Sequence, residues 1–161
     1  MSARGRILVV DDKANMRALL RDILSVQHDV TLAVDGAEAE KQLETADVDV
    51  VLTDVRMPLV DGFELAQTVK RRWPWTEVVL MTAHASVPAA VEAMRRGAYD
   101  YIEKPFDPDD LSLVMARALE RCRERRENAR PTRGADSDAG ATAAPAGRDL
   151  AELSYREALA G

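Results

Sequence analysis

Carboxylates end two apolar stretches of the sequence. Asp11 and Asp12 follow the run RILVV, and Asp54 follows VVLT. Three carboxylates brought together would repel one another, and at least one would stay protonated unless a cation neutralised them. A divalent ion with hard oxygen ligands, Mg²⁺ in particular, removes this difficulty and leaves positions for phosphate oxygens. The acids therefore indicate a metal site able to receive a phosphorylated ligand.

Two further polar side chains lie at the ends of later apolar runs. Thr82 follows VVLM, and Lys104 follows the short run around Tyr101. A hydroxyl, an ammonium group and Mg²⁺ together can stabilise the charge of a phosphoryl group during transfer. Aspartate forms acyl phosphates in several enzyme classes, so one of the acids can be the nucleophile. The residues predict phosphoryl transfer to Asp54.

Short apolar runs alternate with helical periodicity up to about residue 126, which predicts five strand-helix units. The run 7–10 precedes an amphipathic helix, and 48–53 is the most continuously apolar strand. In the first helix the apolar residues at helical spacing are Met16, Leu19, Leu20, Ile23 and Leu24. Such alternation predicts an α/β fold, a doubly wound parallel sheet whose strands end at one edge. The polar residues named above would meet at that edge.

Composition bounds the class of protein. The chain has 161 residues, 47% hydrophobic and 31% charged, with a net charge of -6. This balance argues against a nucleic-acid coat, and we expect no direct DNA binding within these residues. Cys122 is the single cysteine, so an intrachain disulfide is excluded. The N-terminus lacks a signal-peptide pattern and no stretch could span a membrane, which predicts a cytoplasmic protein with no membrane partner.

The composition changes after the last predicted helix. Residues 1–126 are expected to form the domain, and residues 127–149, rich in Ala, Gly, Pro and Asp, are expected to be a flexible linker. Residues 150–161 regain a helical pattern. We interpret them as a short helical segment that could begin an output domain lying beyond this sequence.

Four motifs together resemble the receiver domain of bacterial two-component response regulators. They are RILVVDD, LTDVRMPLVDGFEL, VVLMTAHA and GAYDYIEKPFD, and the resemblance covers about residues 5 to 125. TAHA and GAYDYIEKPF are most similar to the nitrogen-regulation (NtrC-like) type, which often acts on transcription. The resemblance implies a flavodoxin-like (βα)5 fold with strand order 2-1-3-4-5.

The same resemblance implies roles for individual residues. Asp54 would be phosphorylated by a sensor histidine kinase, and Mg²⁺ would be held by Asp11, Asp12, Asp54 and the backbone carbonyl of Arg56. Thr82 and Lys104 would contact the phosphoryl group. The remaining implied positions are Tyr101 as a switch aromatic, Arg56 and His84 as residues that tune dephosphorylation, Gly62 as a structural glycine, and Pro105 in a cis bond after Lys104.

Other functions stay open from the sequence. The resemblance implies a regulatory phosphoacceptor that is not an enzyme, beyond slow loss of its own phosphoryl group, and a homodimer through helix four, strand five and helix five. A stand-alone receiver acting by protein contacts is one alternative. A Mg²⁺-dependent phosphatase passing through aspartyl phosphate is another, although its Asp-x-Asp pattern is absent because Asp11 and Asp12 are adjacent.

Overall fold

The computed structural model describes residues 4–129, in which strands and helices alternate. The strands are β1 (Arg6–Val10), β2 (Asp29–Ala33), β3 (Val50–Asp54), β4 (Glu77–Thr82) and β5 (Asp100–Glu103). The helices are α1 (Ala14–Leu24), α2 (Gly36–Thr45), α3 (Gly62–Arg72), α4 (Val87–Arg95) and α5 (Pro108–Ala129). All pairings are parallel, and the strand order is β2-β1-β3-β4-β5. The predicted fold class and strand order are confirmed.

The register of the central strands brings their C-terminal ends to one edge. Every residue of β3 and β4 is buried, as the continuous apolar runs predict for strands covered on both faces. Val10 of β1 pairs with Thr53, and Asp54 pairs with Met81. Thr82 pairs with Glu103 at the end of β5. The residues at the C-terminal ends of these strands therefore lie at the same edge of the sheet.

Helices cover the sheet on both faces and form two apolar cores. α1 and α5 cover one face through a core that includes Leu20, Leu24, Leu111 and Met115. α2, α3 and α4 cover the other face, with buried side chains that include Leu43, Leu65, Val69 and Ala93. The two cores fix the sheet between the helices, which holds the strand ends in place.

Leu19 differs from its prediction. The helical spacing of the apolar residues predicts that Leu19 lies on the apolar side of α1, but its side chain is 47% exposed. Leu20 and Leu24 make the contact with the sheet, and Met16 and Ile23 pack beside them. Leu19 precedes Leu20 by one position, which rotates it about 100° around the helix and away from the sheet.

Side-chain caps begin three of the helices soon after the strands end. Asp35 and Ser86 accept from the backbone N–H groups of Glu38 and Ala89, respectively. Asp61 and Glu64 form a reciprocal capping box at the start of α3. These caps satisfy N–H groups that have no partner inside a helix, and so they fix where each helix starts.

The last described helix is longer than predicted. α5 continues through Ala129 and so enters the segment predicted to be a linker. The rest of the predicted linker, up to residue 149, and the predicted helical segment 150–161 lie outside the described residues. Within residues 4–129 no helix has the length and apolar character needed to cross a membrane.

Candidate functional site

Three carboxylates converge at the C-terminal edge of the sheet. Asp11 directly follows β1, where its N–H donates to the carbonyl of Ala33 at 3.1 Å. Asp54 is the last residue of β3 and is 4% exposed, whereas Asp12 is exposed. One carboxylate oxygen from each acid lies within 4.8 Å of the others. The structure thus brings together the acids predicted from the strand ends.

Lys104, the residue directly after β5, contacts two of these acids. Its backbone N–H donates to the carbonyl of Thr82 at 2.7 Å, which places the residue at the site edge. Its Nζ lies 3.4 Å from Asp54 Oδ1 and 3.5 Å from Asp11 Oδ2. The peptide bond between Lys104 and Pro105 is cis. A mostly buried ammonium group is therefore held between two buried carboxylates.

The start of α1 orients Asp11. The Lys13 N–H donates to Asp11 Oδ1 at 2.8 Å, and the Arg17 guanidinium donates to the Asp11 carbonyl at 2.7 Å. Sequence reasoning missed Arg17. The available signal was its place one turn into the helix that follows the two acids. These bonds restrict the loop that carries Asp11 and Asp12.

The charge balance at the site favours a divalent cation. Burial raises the pKa of the Asp54 carboxyl above its usual value, and the neighbouring Asp11 raises it further, while Lys104 and the Arg56 backbone N–H act in the opposite direction. The Lys104 ammonium faces both buried carboxylates, and Asp12 adds a third acid. A divalent cation would restore the balance, and carboxylate oxygens are the ligands that Mg²⁺ prefers. The cluster fits such an ion.

Thr82 lies beside the acids, at the end of β4. Its side chain is buried, and its hydroxyl accepts the N–H of His84 at 3.0 Å. His84 is exposed in the connection to α4, and Arg56 is exposed in the connection that follows Asp54. Both residues lie at the rim formed by these two connections. The Thr82 hydroxyl thus lies at the edge of the site and bonds to the loop that follows β4.

Gly62 allows α3 to begin directly against the end of β3. A Cβ at this position would lie 2.5 Å from the carbonyl oxygen of Asp54 and 2.8 Å from the Cα of Val55. Both neighbours are backbone atoms, which cannot rotate away. The Gly62 N–H donates to the carbonyl of Val55 at 2.8 Å. The close approach fixes the connection that leaves the site.

Tyr101 links β5 to the start of α4. Its ring packs partly against the core, and its hydroxyl donates to the carbonyl of Ser86 at 3.4 Å. Ser86 caps α4 and lies four residues after Thr82. A movement of the Thr82 segment would therefore change the surroundings of the Tyr101 ring.

Comparison with known proteins identifies the family. The sequence profile of the response regulator receiver domain matches residues 7–116, so the chain belongs to that family. The regulatory protein AtoC of Escherichia coli is 43% identical over 121 residues, which span 74% of this chain and 26% of AtoC. The DNA-binding transcriptional regulator NtrC of Escherichia coli is 38% identical over 125 residues, which span 77% of this chain and 27% of NtrC. The resemblance to NtrC-type regulators is confirmed.

Solved structures agree with this assignment. The receiver domain of NtrX from Brucella abortus matches with a TM-score of 0.67 and 40% identity over 71% of this chain and 98% of that domain. The chemotaxis protein CheY4 of Vibrio cholerae matches with a TM-score of 0.69 and 31% identity over 73% of this chain and 100% of that protein. Receiver domains are regulatory modules of two-component systems, in which they work with sensor kinases. The chain spans about a quarter of the length of AtoC and NtrC.

Proposed function

We propose that this chain is a phosphorylatable signalling switch that accepts a phosphoryl group from a sensor histidine kinase on Asp54. The observation that carries the proposal is Lys104 Nζ held 3.4 Å from Asp54 and 3.5 Å from Asp11, beside three carboxylates within 4.8 Å of one another. Family membership supports the same reading. The output is proposed to be control of transcription, as in the NtrC-type relatives.

The transfer step needs few groups from this chain. A carboxylate oxygen of Asp54 attacks phosphorus, and the new P–O bond forms as the P–N bond of the kinase phosphohistidine breaks. The imidazole leaves with the electron pair of that bond and keeps the proton on its other nitrogen. Lys104 and the Thr82 hydroxyl donate hydrogen bonds to the equatorial oxygens, where charge accumulates.

Mg²⁺ is proposed as the cofactor. Asp11, Asp12 and Asp54 would hold it together with the backbone carbonyl of Arg56. When bound, the ion would neutralise charge on the transferring group. The exposed side chains of Arg56 and His84 are proposed to control how easily water reaches the aspartyl phosphate and so how slowly it is lost.

The switch is proposed to work through Thr82. A phosphoryl group on Asp54 offers new oxygens to the Thr82 hydroxyl, and a modification shifts an equilibrium only by such differences between two states. Movement of Thr82 would shift the connection to Ser86, whose carbonyl accepts from Tyr101. We define the signalling face as the exposed surface of α4, β5 and α5. Tyr101 would turn inward and remodel this face.

We propose that the signalling face controls the output by forming a homodimer or by binding a partner protein. Residues 1–126 would act as the receiver. Sedimentation velocity before and after phosphorylation tests dimer formation. We expect a larger species after phosphorylation of the native chain and no change for Asp54→Asn. An unchanged monomer in both would contradict the dimer.

Intact mass tests the phosphoacceptor role itself. The native chain is incubated with acetyl phosphate and Mg²⁺, and parallel samples contain EDTA or the Asp54→Asn variant. We expect a single phosphoryl adduct that requires the metal and is absent from the variant. An adduct that survives in Asp54→Asn would assign the chemistry to another residue, and no adduct in any sample would refute the proposed function.

A further inference from the structure

The connection between β3 and α3 contains a strained turn centred on Leu59. The Val60 N–H donates to the carbonyl of Pro58 at 2.8 Å, which closes a three-residue turn. Leu59 at its centre has a φ of 72°, and it is the one non-glycine residue with a positive φ within residues 4–129. A γ-turn of this hand is rare, and a branched side chain is disfavoured there.

The residues around the turn are anchored, which explains why it persists. Met57 and Val60 pack against the core on the α3 side of the sheet. Val60 also meets α2 closely, since a Cβ on Gly36 would lie 3.1 Å from its Cβ. At the far end of the connection, the Gly62 N–H donates a hydrogen bond to the Val55 carbonyl. The residues on both sides of the turn are thus fixed by the fold, and Leu59 at its apex is exposed to solvent.

The side chain of Leu59 has no role in the core. It is 94% exposed, more than any other large apolar side chain in the described part of the chain. Glycine or asparagine would fit the backbone better. A strained, exposed leucine therefore contributes nothing evident to the fold, and backbone outliers of this kind are typical of functional segments.

The position of Leu59 identifies what would cover it. The turn lies on the connection that begins directly after Asp54, so it forms part of the rim of the site. Asp54 is almost fully buried, and a macromolecular donor must press against this rim to bring a phosphohistidine to it. We expect a small donor such as acetyl phosphate to reach Asp54 without contacting Leu59.

We propose that Leu59 is a docking contact for the sensor kinase and helps determine which kinase phosphorylates this chain. The partner chemistry is an apolar depression beside the phosphohistidine, into which the leucine at the apex of the turn inserts. Burying this side chain would favour the complex by the hydrophobic effect. The inference rests on the proposed function, and its test separates the two.

The test compares two donors on three variants. Leu59→Asn keeps a residue that tolerates the turn and removes the apolar group, and Leu59→Met keeps an apolar group. Val26→Asn is the matched control, because Val26 is 74% exposed and lies between α1 and β2, at the opposite edge of the sheet. The donors are acetyl phosphate and a panel of purified, autophosphorylated histidine kinases from the source bacterium. The kinase that labels the native chain fastest is used throughout.

We expect Leu59→Asn to lower kcat/KM for transfer from the kinase about tenfold, as for loss of a well-buried interface contact. Labelling by acetyl phosphate should change by less than about twofold. Leu59→Met should retain most of the transfer from the kinase, and Val26→Asn should change neither reaction. The melting temperature of Leu59→Asn should not fall. A fall would be expected if Leu59 had a structural role.

Three results would overturn the inference. One is unchanged transfer from the kinase to Leu59→Asn, and another is a parallel loss with both donors, which would mean that the turn shapes the site. The third is labelling of the native chain by acetyl phosphate but by no kinase of the panel, which would reject the assigned partner. Failure of acetyl phosphate to label the native chain would instead refute the proposed function.

Discussion

A buried ion cluster at the edge where the strands begin should be costly to break. Glu77 opens β4 and is 2% exposed. Its carboxylate lies 3.4 Å from Lys70 Nζ on α3 and 2.6 Å from Arg125 Nε on α5. Lys70 also donates to the carbonyls of Pro74 and Thr76, at 3.0 and 2.8 Å. Substitution Lys70→Met keeps the apolar stem and removes these polar contacts.

The loss of stability in Lys70→Met depends on the charges that remain buried after the substitution. Removing one member of a buried ion pair costs about 3 to 5 kcal/mol, because the remaining charge is buried without its partner. Glu77 keeps Arg125, and the Lys70 side chain is 17% exposed, so the lower end of that range applies. We expect a loss of about 3 kcal/mol in the free energy of unfolding, or about 10 °C in melting temperature.

The assay is urea unfolding followed by circular dichroism, with Arg72→Met as the control. Arg72 also lies on α3 and pairs with two acids, Glu40 at 3.3 Å and Glu44 at 2.7 Å, but these side chains are 31% to 50% exposed. Exposed pairs contribute less than about 1 kcal/mol. Equal losses in the two variants, or a loss below about 1 kcal/mol for Lys70→Met, would show that the buried cluster stabilises the domain no more than an exposed ion pair does.

Three further substitutions test the site and its surroundings. Gly62→Ala forces a Cβ against the Asp54 carbonyl, and we expect urea unfolding to give a stability loss of about 2 kcal/mol. Lys104→Met removes the ammonium group between Asp11 and Asp54, and titration calorimetry should show about tenfold tighter Mg²⁺ binding, with slower phosphorylation. Burial raises the pKa of Asp100, so the native state binds the proton of this carboxyl more tightly than the unfolded chain does. The free energy of unfolding therefore falls as pH rises from the usual pKa of aspartate to the raised pKa of Asp100. Asp100→Asn should remove this slope and raise the melting temperature at neutral pH.

Each of these outcomes has a clear contrary result. Unchanged stability of Gly62→Ala would mean that the end of β3 can move away from α3. Weaker Mg²⁺ binding by Lys104→Met would contradict competition between the ammonium group and the ion, and Lys13→Met, which removes an exposed amine 3.9 Å from Asp12, is the control. A melting temperature of Asp100→Asn that falls below the native value at neutral pH would contradict the burial argument.

The sequence predicted the sheet because its signals are local. Apolar runs such as 50–53 and 78–81 predicted strands covered on both faces, and the helices between them showed a 3.6-residue period. The geometry of a parallel sheet then required Asp11, Asp54 and Lys104 to meet at one edge. No contact between these residues had to be known in advance.

Other features could not be predicted because they depend on contacts between distant segments. The ion cluster joins Lys70, Glu77 and Arg125 from three elements, and each residue alone is typical of a solvated position. The turn at Leu59 exists because the core holds both its flanks, whereas leucine itself disfavours the conformation. The exposure of Leu19 depends on how α1 is rotated against the sheet, which helical spacing alone leaves open.

Chemical trapping of the phosphorylated residue tests directly whether Asp54 is the phosphoacceptor. The native chain is labelled with acetyl phosphate and Mg²⁺, reduced with borohydride, which converts an aspartyl phosphate to homoserine, and digested for peptide mass mapping. We expect homoserine at position 54 alone, and none when EDTA is present. Reduction at Asp11 or Asp12, or a label that resists borohydride and maps to His84, would contradict it.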